Sequence, residues 1–440
     1  MIPKLYQMFM ILDLFPLLSA IFAALSCGLL GNFLVLRKQS LMGDAISHAV
    51  LPGLVGAFLI TQSRSPGIMF IGAAISALLT VVLVEVIKRL GKVEPGAAMG
   101  VVFSVLFALG VYMLESASAR SVDLDADCVL HGNLQTLFWI SSPTEWNHFL
   151  SANTADEIPR QVWTLLGTTI AVIAFISVFF KELRIASFDA GISTVQGINA
   201  GFMHMALMTF VAIAAVASFE AVGSILVIAM LICPAATARM LTDRLGSQIL
   251  VSAIVALITA IGGYILAAIF EVNAAGMMAS FAGVLLVIAI IGSPAHGIIA
   301  KARNQRRLGN QVALEDILGS LYRLAETNQS ASQEELITAL GHTKRTTKAL
   351  LKAQYDKLIV IMDTHIALTD AGLARGASII RRHRLWEGYL VDQAGLSPDH
   401  VHETAEQLEH LSELPDPNLP DEQTNPTTDP HGKPIPPESS

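Results

Sequence analysis

Residues 247–270 read SQILVSAIVALITAIGGYILAAIF and contain no charged side chain. About 20 apolar residues in a helix are enough to cross the hydrocarbon core of a bilayer, so this stretch predicts a transmembrane helix. Comparable stretches lie near residues 12–36, 45–61, 66–90, 95–115, 161–180, 200–217, 220–240 and 276–292. The sequence therefore predicts an all-α polytopic membrane bundle of about nine helices within residues 1–300.

Basic residues are divided unevenly between the loops on the two sides of this bundle. One side carries Arg37, Lys38, Lys88, Arg89, Lys92, Lys181, Arg184, Arg239, Arg244, Lys301, Arg303, Arg306 and Arg307. The other side carries only Lys4, Arg64, Arg120 and Arg160. Because Lys and Arg accumulate on cytoplasmic loops, we expect a multi-pass protein of the cell (inner) membrane with its N-terminus outside and its C-terminal part in the cytoplasm.

Two polar residues, Asp44 and His48, fall within a predicted membrane helix. They are four residues apart, so a helix presents them on one face. Ionisable groups inside a bilayer are costly and often mark an ion path, and a carboxylate with an imidazole suits a divalent transition metal. The spacing leaves a second interpretation open, in which the pair only hydrogen-bonds within the bundle. A weaker cluster of soft donors comprises Met203, His204, Met205 and Met208.

Longer blocks around these residues carry a family resemblance. Residues 34–53, LVLRKQSLMGDAISHAVLPG, resemble the signature of the permease subunits of ABC importers for zinc, manganese and iron, and residues 222–238, VGSILVIAMLICPAATA, resemble the later signature of the same family. The resemblance covers roughly residues 10–295. It implies that Asp44 and His48 lie on the metal path.

The same resemblance implies a division of labour among subunits. Residues 188–199, FDAGISTVQGIN, stand where these permeases present a cytoplasmic segment to the ATPase, which makes Asp189, Gly197 and Asn199 the expected coupling residues. The chain has no GxxxxGK[ST] phosphate loop, so we expect no enzymatic activity here and ATP hydrolysis by a separate ATPase subunit. The other implied partners are a second permease subunit, identical or paralogous, and an extracytoplasmic metal-binding protein.

After a predicted linker at 301–311, residues 312–380 change to a charged composition typical of a cytoplasmic domain. The order of predicted elements is helix, helix, basic helix and hairpin, which is the order of a winged helix-turn-helix. The basic third helix carries Lys344, Arg345 and Lys348, which we expect to contact DNA phosphates. The alternative is a solvated helix with an ordinary run of charge.

Residues 381–414 predict a helical metal-binding and dimerisation region, followed by a Pro-rich tail at 415–440. His383 and Glu387 are four apart, and a second helical segment carries His402, Glu406, Glu409 and His410. Carboxylates and imidazoles without thiolates favour a hard-to-borderline divalent ion. Such pairs on a single helix often belong only to a solvated face, but two helices with ligands at helical spacing favour a site.

These segments resemble the diphtheria-toxin-repressor family of metal-dependent regulators. The resemblance rests on RRHRLWE at 381–387, VHETAEQLEH at 401–410 and DPHGKPIP at 429–436. It implies one site of His383, Glu387 and His402, and another of Asp316, Glu406, Glu409 and His410. A carboxylate at Glu406 resembles the manganese-responsive branch, whereas Gly319 replaces a Glu of that branch and leaves open whether one or two ions bind.

Together these features predict a permease subunit of an ATP-driven importer of a divalent metal, fused to a metal-responsive, DNA-binding regulator domain. Manganese is the favoured ion, and iron and zinc are the alternatives. A second hypothesis makes the C-terminal domain a sensor that never contacts DNA and inhibits transport when it is loaded. A channel or secondary transporter without an ATPase is disfavoured by the family blocks.

Overall fold

The chain forms two compact units, residues 1–300 and residues 301–440, in a computed structural model. The structure describes residues 12–63, 65–118, 134–137, 158–329, 331–341, 343–362, 365–410 and 427–437. Eight helices in these ranges are long and apolar enough to cross a membrane, and all eight belong to the N-terminal unit. An all-α polytopic bundle is therefore confirmed.

The N-terminal unit consists of ten helices and a short 3-10 turn at Leu134–Thr136 in the part of the chain that the structure describes. The helices are α1 (Leu14–Leu36), α2 (Leu41–Thr61), α3 (Pro66–Gly91), α4 (Pro95–Ser118), α5 (Arg160–Val178), α6 (Phe180–Phe188), α7 (Ala190–Val195), α8 (Ala200–Leu241), α9 (Leu245–Phe270) and α10 (Ala274–Gly292). The short helices α6 and α7 fill the segment between the fifth and sixth predicted crossings.

Helix α8 accounts for the difference between nine predicted helices and eight observed ones. The segments predicted at 200–217 and 220–240 form one helical element of 42 residues, interrupted at Gly223, where φ is 77° and ψ is 167°. A positive φ is accessible to glycine because it has no Cβ. The chain can therefore turn sharply at Gly223 without an intervening loop.

Contacts between helix ends show how α8 is threaded. Near the end of α9, Tyr264 donates a hydrogen bond of 2.8 Å to Asp13, which immediately precedes α1. The start of α9, Leu245, therefore lies toward the other end of α1. At that end Arg37 contacts His204, near the start of α8, at 3.1 Å. Because α8 also leads directly into α9, it begins and ends at the same end of the bundle.

The bundle core is packed closely around α1 and α8. Gly31 faces the backbone of α8 so closely that a Cβ on it would lie 1.8 Å from the carbonyl oxygen of Leu231. Small residues of this kind let membrane helices approach backbone to backbone. Leu30, Phe33 and Met230 are almost fully buried beside this contact. Helices α1 and α8 therefore pack in direct backbone contact.

The C-terminal unit is built from helices and a small sheet. Its elements are α11 (Ile298–Glu326), β1 (Ala331–Ser332), α12 (Gln333–Ala339), α13 (Thr343–Tyr355), β2 (Ile359–Met362), β3 (His365–Leu368), α14 (Asp370–Asp392), a 3-10 turn (Pro398–His400) and α15 (His402–Leu408). The predicted linker at 301–311 lies within the single helix α11, and the predicted boundary at 380/381 lies within α14. Both predicted borders therefore fall inside continuous helices.

The strands form an antiparallel sheet in the order β1-β3-β2. Ala331 pairs with Ile366, and Ile359 pairs with Leu368. A capping box is present at the start of α12, where Ser332 accepts from Glu335 N and the Glu335 side chain accepts from Ser332 N. The helices and hairpin occur in the predicted order, and their interpretation as a winged helix-turn-helix stays a prediction.

Part of the predicted Pro-rich tail is packed against α14. Residues 427–437 form a turn with a bridge between Thr428 and Pro434. Arg384, buried on α14, binds the Glu326 carboxylate through two nitrogens at 3.0 and 2.6 Å. It also lies 3.6 Å from Asp429 and donates to the carbonyl of Pro434. These contacts join the last described residues to α11 and α14.

Candidate metal sites

The predicted pair on α2 is close enough to act together. Asp44 lies in the first turn of α2 and His48 one turn later, with 3.3 Å between His48 Nε2 and Asp44 Oδ1. The imidazole packs against two aromatic rings of α4, Phe103 and Phe107, at centroid distances of 5.0 and 5.4 Å. Both side chains remain partly exposed. The pair therefore offers one carboxylate and one imidazole beside two aromatic rings.

The methionine and histidine cluster on α8 has a different character. Met203 and Met208 are buried in the bundle core. His204 has one ring nitrogen 3.1 Å from Arg37 and the other 3.3 Å from Glu85 Oε2. The ring therefore joins the ends of α1 and α3 to the start of α8, and both of its nitrogens are engaged by charged side chains.

The three predicted coupling residues shape the turns on either side of α7. Asp189 caps α7 by accepting from Gly191 N at 2.7 Å and Ile192 N at 3.1 Å. Gly197 has a φ of 77°, and Asn199 caps α8 by accepting from Phe202 N at 3.0 Å. These residues set the path of the segment, and their contact with an ATPase stays a prediction.

A first metal group forms between α14 and α15. It contains His383 and Glu387, one turn apart on α14, and His402 at the start of α15, with ligand atoms within 4.8 Å of one another. His383 Nε2 lies 3.1 Å from Glu387 Oε1, and His402 Nδ1 contacts the same oxygen. His383 and Glu387 are buried. The structure thus brings together the three residues predicted for this site.

A second metal group contains Asp316, Glu409 and His410, again with ligand atoms within 4.8 Å. Asp316 lies on α11, so a residue almost 100 positions earlier in the chain completes the group. Glu406, whose side chain is exposed, is not part of this group. The predicted i,i+4 relation with His410 requires a helix through residue 410, but α15 ends at Leu408. The role of Glu406 as a ligand stays a prediction.

Gly319, which replaces a Glu of the manganese-responsive branch, faces an apolar surface. A Cβ on it would lie 3.6 Å from Ile379 and 3.8 Å from Ile380. The position thus belongs to the packing between α11 and α14 and adds no donor to either group.

Two residues near these groups gave too little signal in the sequence to be predicted. Glu315 is buried and its Oε2 lies 2.9 Å from His410 Nδ1. His431 stacks on His402 with ring centroids 4.9 Å apart and an angle of 14°. Only one feature of the sequence points to Glu315: it lies on the apolar face of α11, three residues before Leu318. His431 gives no periodic signal, because it lies in a turn.

Electrostatics in both groups favour charged side chains. Burial lowers the pKa of His410, but the carboxylates of Asp316 and Glu315 outweigh it and raise the pKa to about 9. Burial likewise opposes the charged form of His383, whose pKa is nevertheless raised by Glu387 and Glu409. The pKa of Glu387 is lowered, against the effect of its burial, by His383 and His402. Each imidazole therefore sits in a strongly anionic surrounding.

The donor atoms of these groups suit a cation. Several are buried without a well-oriented hydrogen bond, although some of them contact one another: both carboxylate oxygens of Glu387, Oε2 of Glu409 and Nδ1 of His383. Buried polar atoms in native proteins are nearly always satisfied, so their convergence fits a bound ion. Carboxylate and imidazole donors match the preferences of manganese, iron(II) and zinc.

The predicted DNA-contacting residues are placed on one exposed helix. Lys344, Arg345 and Lys348 are all exposed on α13, and the hairpin of β2 and β3 follows directly. This position leaves the three basic groups available to phosphates.

Comparison with known proteins identifies both parts of the chain. Residues 14–293 match the ABC 3 transport family, and residues 369–437 match the metal binding and dimerisation domain of iron dependent repressors. The first match covers more than half of the chain. The protein therefore belongs to the ABC 3 transport family and carries a repressor-type C-terminal domain.

Individual relatives agree with this assignment. The chain is 40% identical over 283 residues to the manganese transport system membrane protein MntD of Bacillus subtilis, covering 64% of this chain and 92% of that protein. It is 29% identical over 402 residues to MntC of the same organism, with 88% of each covered. The latter match is longer than the whole N-terminal unit. PsaBC from Streptococcus pneumoniae, solved in complex with a Fab, superposes with a TM-score of 0.51 at 29% identity, covering 64% of this chain and 92% of that one.

Proposed function

We propose that this chain is the membrane-spanning permease subunit of an ATP-driven importer of divalent transition metal, and that manganese is its cargo. The observation that carries the proposal is the Asp44–His48 pair, a carboxylate and an imidazole 3.3 Å apart within α2 of an ABC 3 family member. Relatives such as MntD are named as manganese transport proteins. Zinc is named for TroD of Treponema pallidum, which is 35% identical to this chain. The names of the relatives support manganese over zinc.

In this proposal the chain catalyses no chemistry and moves between two access states. A separate ATPase drives the change through the α6–α7 segment, and the Arg37 bond to Ser187 of 3.1 Å connects that segment to α1. A second permease subunit completes the pathway, and an extracytoplasmic binding protein delivers the ion. The basic end of the bundle, where Arg37, Lys88 and Arg89 meet, lies in the cytoplasm.

The cargo is tested by uptake of radioactive manganese in cells that lack their own manganese importers and express the full operon. We expect uptake that excess manganese suppresses fully and that iron(II) or zinc suppresses less. Preferential suppression by zinc would assign zinc as the cargo and contradict the manganese assignment.

We infer further that the C-terminal unit is a metal-responsive regulator that binds operator DNA when it is loaded. The two ligand groups and the match to the repressor domain support this role, and the match favours it over a sensor that only inhibits transport. The test is gel-shift binding of the full chain, in detergent micelles, to the promoter of its own operon with manganese, iron(II) or zinc. Specific binding that requires one metal is expected. Metal binding without DNA binding would contradict the regulator.

A further inference from the structure

Glu315 is a buried carboxylate that the ligand groups do not account for. It lies on α11 directly before Asp316, and its side chain is only 6% exposed. Its Oε1 accepts from Gln311 Nε2 at 3.0 Å, and its Oε2 lies 2.9 Å from His410 Nδ1. Both oxygens are therefore already engaged by donors within the protein.

This separates Glu315 from the carboxylates that converge on the two groups. Glu387 and Glu409 each contribute an oxygen to a group of converging ligand atoms. Glu315 belongs to neither group, and both of its oxygens are within hydrogen-bond distance of nitrogens of the protein. Its geometry therefore favours an action on its neighbours.

The neighbour on which Glu315 acts is the imidazole of His410. Consecutive residues on a helix point about 100° apart, which lets Glu315 and Asp316 approach different edges of the ring. Glu315 holds Nδ1, while Asp316 Oδ1 lies 3.1 Å from Nε2. Histidine ligands of metals commonly donate their second N–H to a carboxylate, which sets the tautomer and the orientation of the ring.

We propose that Glu315 is a positioning residue that holds the Nδ1–H of His410 and directs Nε2 toward the ion bound with Asp316 and Glu409. The assignment rests on the metal-binding role proposed for this group. It makes the second site a carboxylate–histidine–metal arrangement in which α11 supplies both the ligand Asp316 and the residue that orients His410. Arg382, 4.0 Å from Glu315, helps to keep the carboxylate ionised.

The test measures cobalt(II) and manganese binding to the full chain in detergent micelles, with stoichiometry, affinity and the cobalt absorption spectrum recorded for each variant. For Glu315→Ala we expect affinity at the second site to fall by roughly 10- to 100-fold, with the number of bound ions and the cobalt spectrum at saturation unchanged. Glu315→Gln keeps an oxygen acceptor for Nδ1–H and is expected to recover most of the affinity. Gln311→Ala, which removes the other donor to Glu315, is the matched control and should have a smaller effect.

Three results would overturn the proposal. Wild-type affinity in Glu315→Ala would show that His410 needs no support. Loss of an ion or a changed cobalt spectrum in both Glu315 variants would make Glu315 a direct ligand. If Asp316→Ala bound as many ions as the wild type, the second metal site would not exist as proposed. This variant therefore distinguishes failure of the proposed metal-binding function from failure of the positioning role. Thermal unfolding of each variant identifies any that is simply misfolded.

Discussion

Glu409 Oε2 lies 2.7 Å from His383 Nδ1, although the two residues belong to different metal groups. His383 binds within the first group through its other nitrogen, which faces Glu387. The Glu409 carboxylate therefore touches a ligand of the first group while it contributes to the second. The contact links α14 to the residue that follows α15 and connects the two groups.

Replacement of Glu409 by Ala is expected to weaken both metal groups, because it removes a ligand from one and the partner of His383 from the other. His402→Ala should lower the stoichiometry by the first ion only, and Asp316→Ala by the second ion only. Isothermal titration of the full chain with manganese measures each loss. Glu406→Ala is the matched control, since this nearby carboxylate is exposed and outside both groups. A loss of stoichiometry in Glu406→Ala would contradict the assignment of the second group.

Manganese affinity at the second group should rise with pH. The ion needs a neutral nitrogen on His410, but the raised pKa of about 9 keeps this ring protonated at neutral pH. Binding must therefore release a proton, and the affinity should increase by up to about tenfold per pH unit until the pH passes the pKa. The measurement is titration of His402→Ala, which isolates this group, between about pH 6.5 and 8.5. A flat affinity across this range would show that His410 does not bind the ion.

Charge removal on α13 should weaken DNA binding evenly across sequences. Lys344, Arg345 and Lys348 are exposed on one helix, and removing the charge that binds one phosphate reduces the slope of log affinity against log salt by about one. The triple alanine variant is expected to show a shallower slope in gel-shift or anisotropy titrations. Lys433→Ala, which removes a charge from the C-terminal turn, serves as control. An unchanged slope in the triple variant would place the DNA-binding surface elsewhere or exclude one.

Helix packing in the bundle should tolerate an added methyl group far less at Gly31 than at Gly100. A Cβ at Gly31 would meet the Leu231 carbonyl oxygen at 1.8 Å, whereas one at Gly100 meets nothing within 4 Å. Overpacking of this kind costs about 1–3 kcal/mol, so Gly31→Ala should lower the unfolding temperature in detergent while Gly100→Ala leaves it nearly unchanged. Equal effects of the two substitutions would contradict the close approach of α1 and α8.

The class of fold and most of the predicted ligand residues follow from local sequence patterns. Long apolar runs define membrane helices because the bilayer sets their length, and the four-residue spacing of His383 and Glu387 defines one helical face. Hydropathy predicts the two crossings at 200–217 and 220–240, but it cannot show that they join directly at Gly223 and so form one helical element. Helical spacing also does not predict where α15 ends, and the structure leaves Glu406 outside the second group.

Other features could not be read from spacing at all. The contact of Glu315 with His410 joins residues 95 positions apart, and stacking of His431 on His402 depends on how Arg384 holds the C-terminal turn. Such arrangements arise from tertiary packing of buried charged groups, which local periodicity does not encode.

The central claim is that Asp44 and His48 carry the transported ion. Its most direct test is manganese uptake by proteoliposomes that contain the complete importer, with ATP supplied to the ATPase and the binding protein loaded. Asp44→Asn and His48→Gln should each reduce uptake by at least about tenfold, which corresponds to roughly 1.4 kcal/mol, while subunit assembly stays intact and Gln62→Ala at the end of the same helix transports normally. Wild-type uptake in assembled Asp44→Asn and His48→Gln transporters would contradict the account.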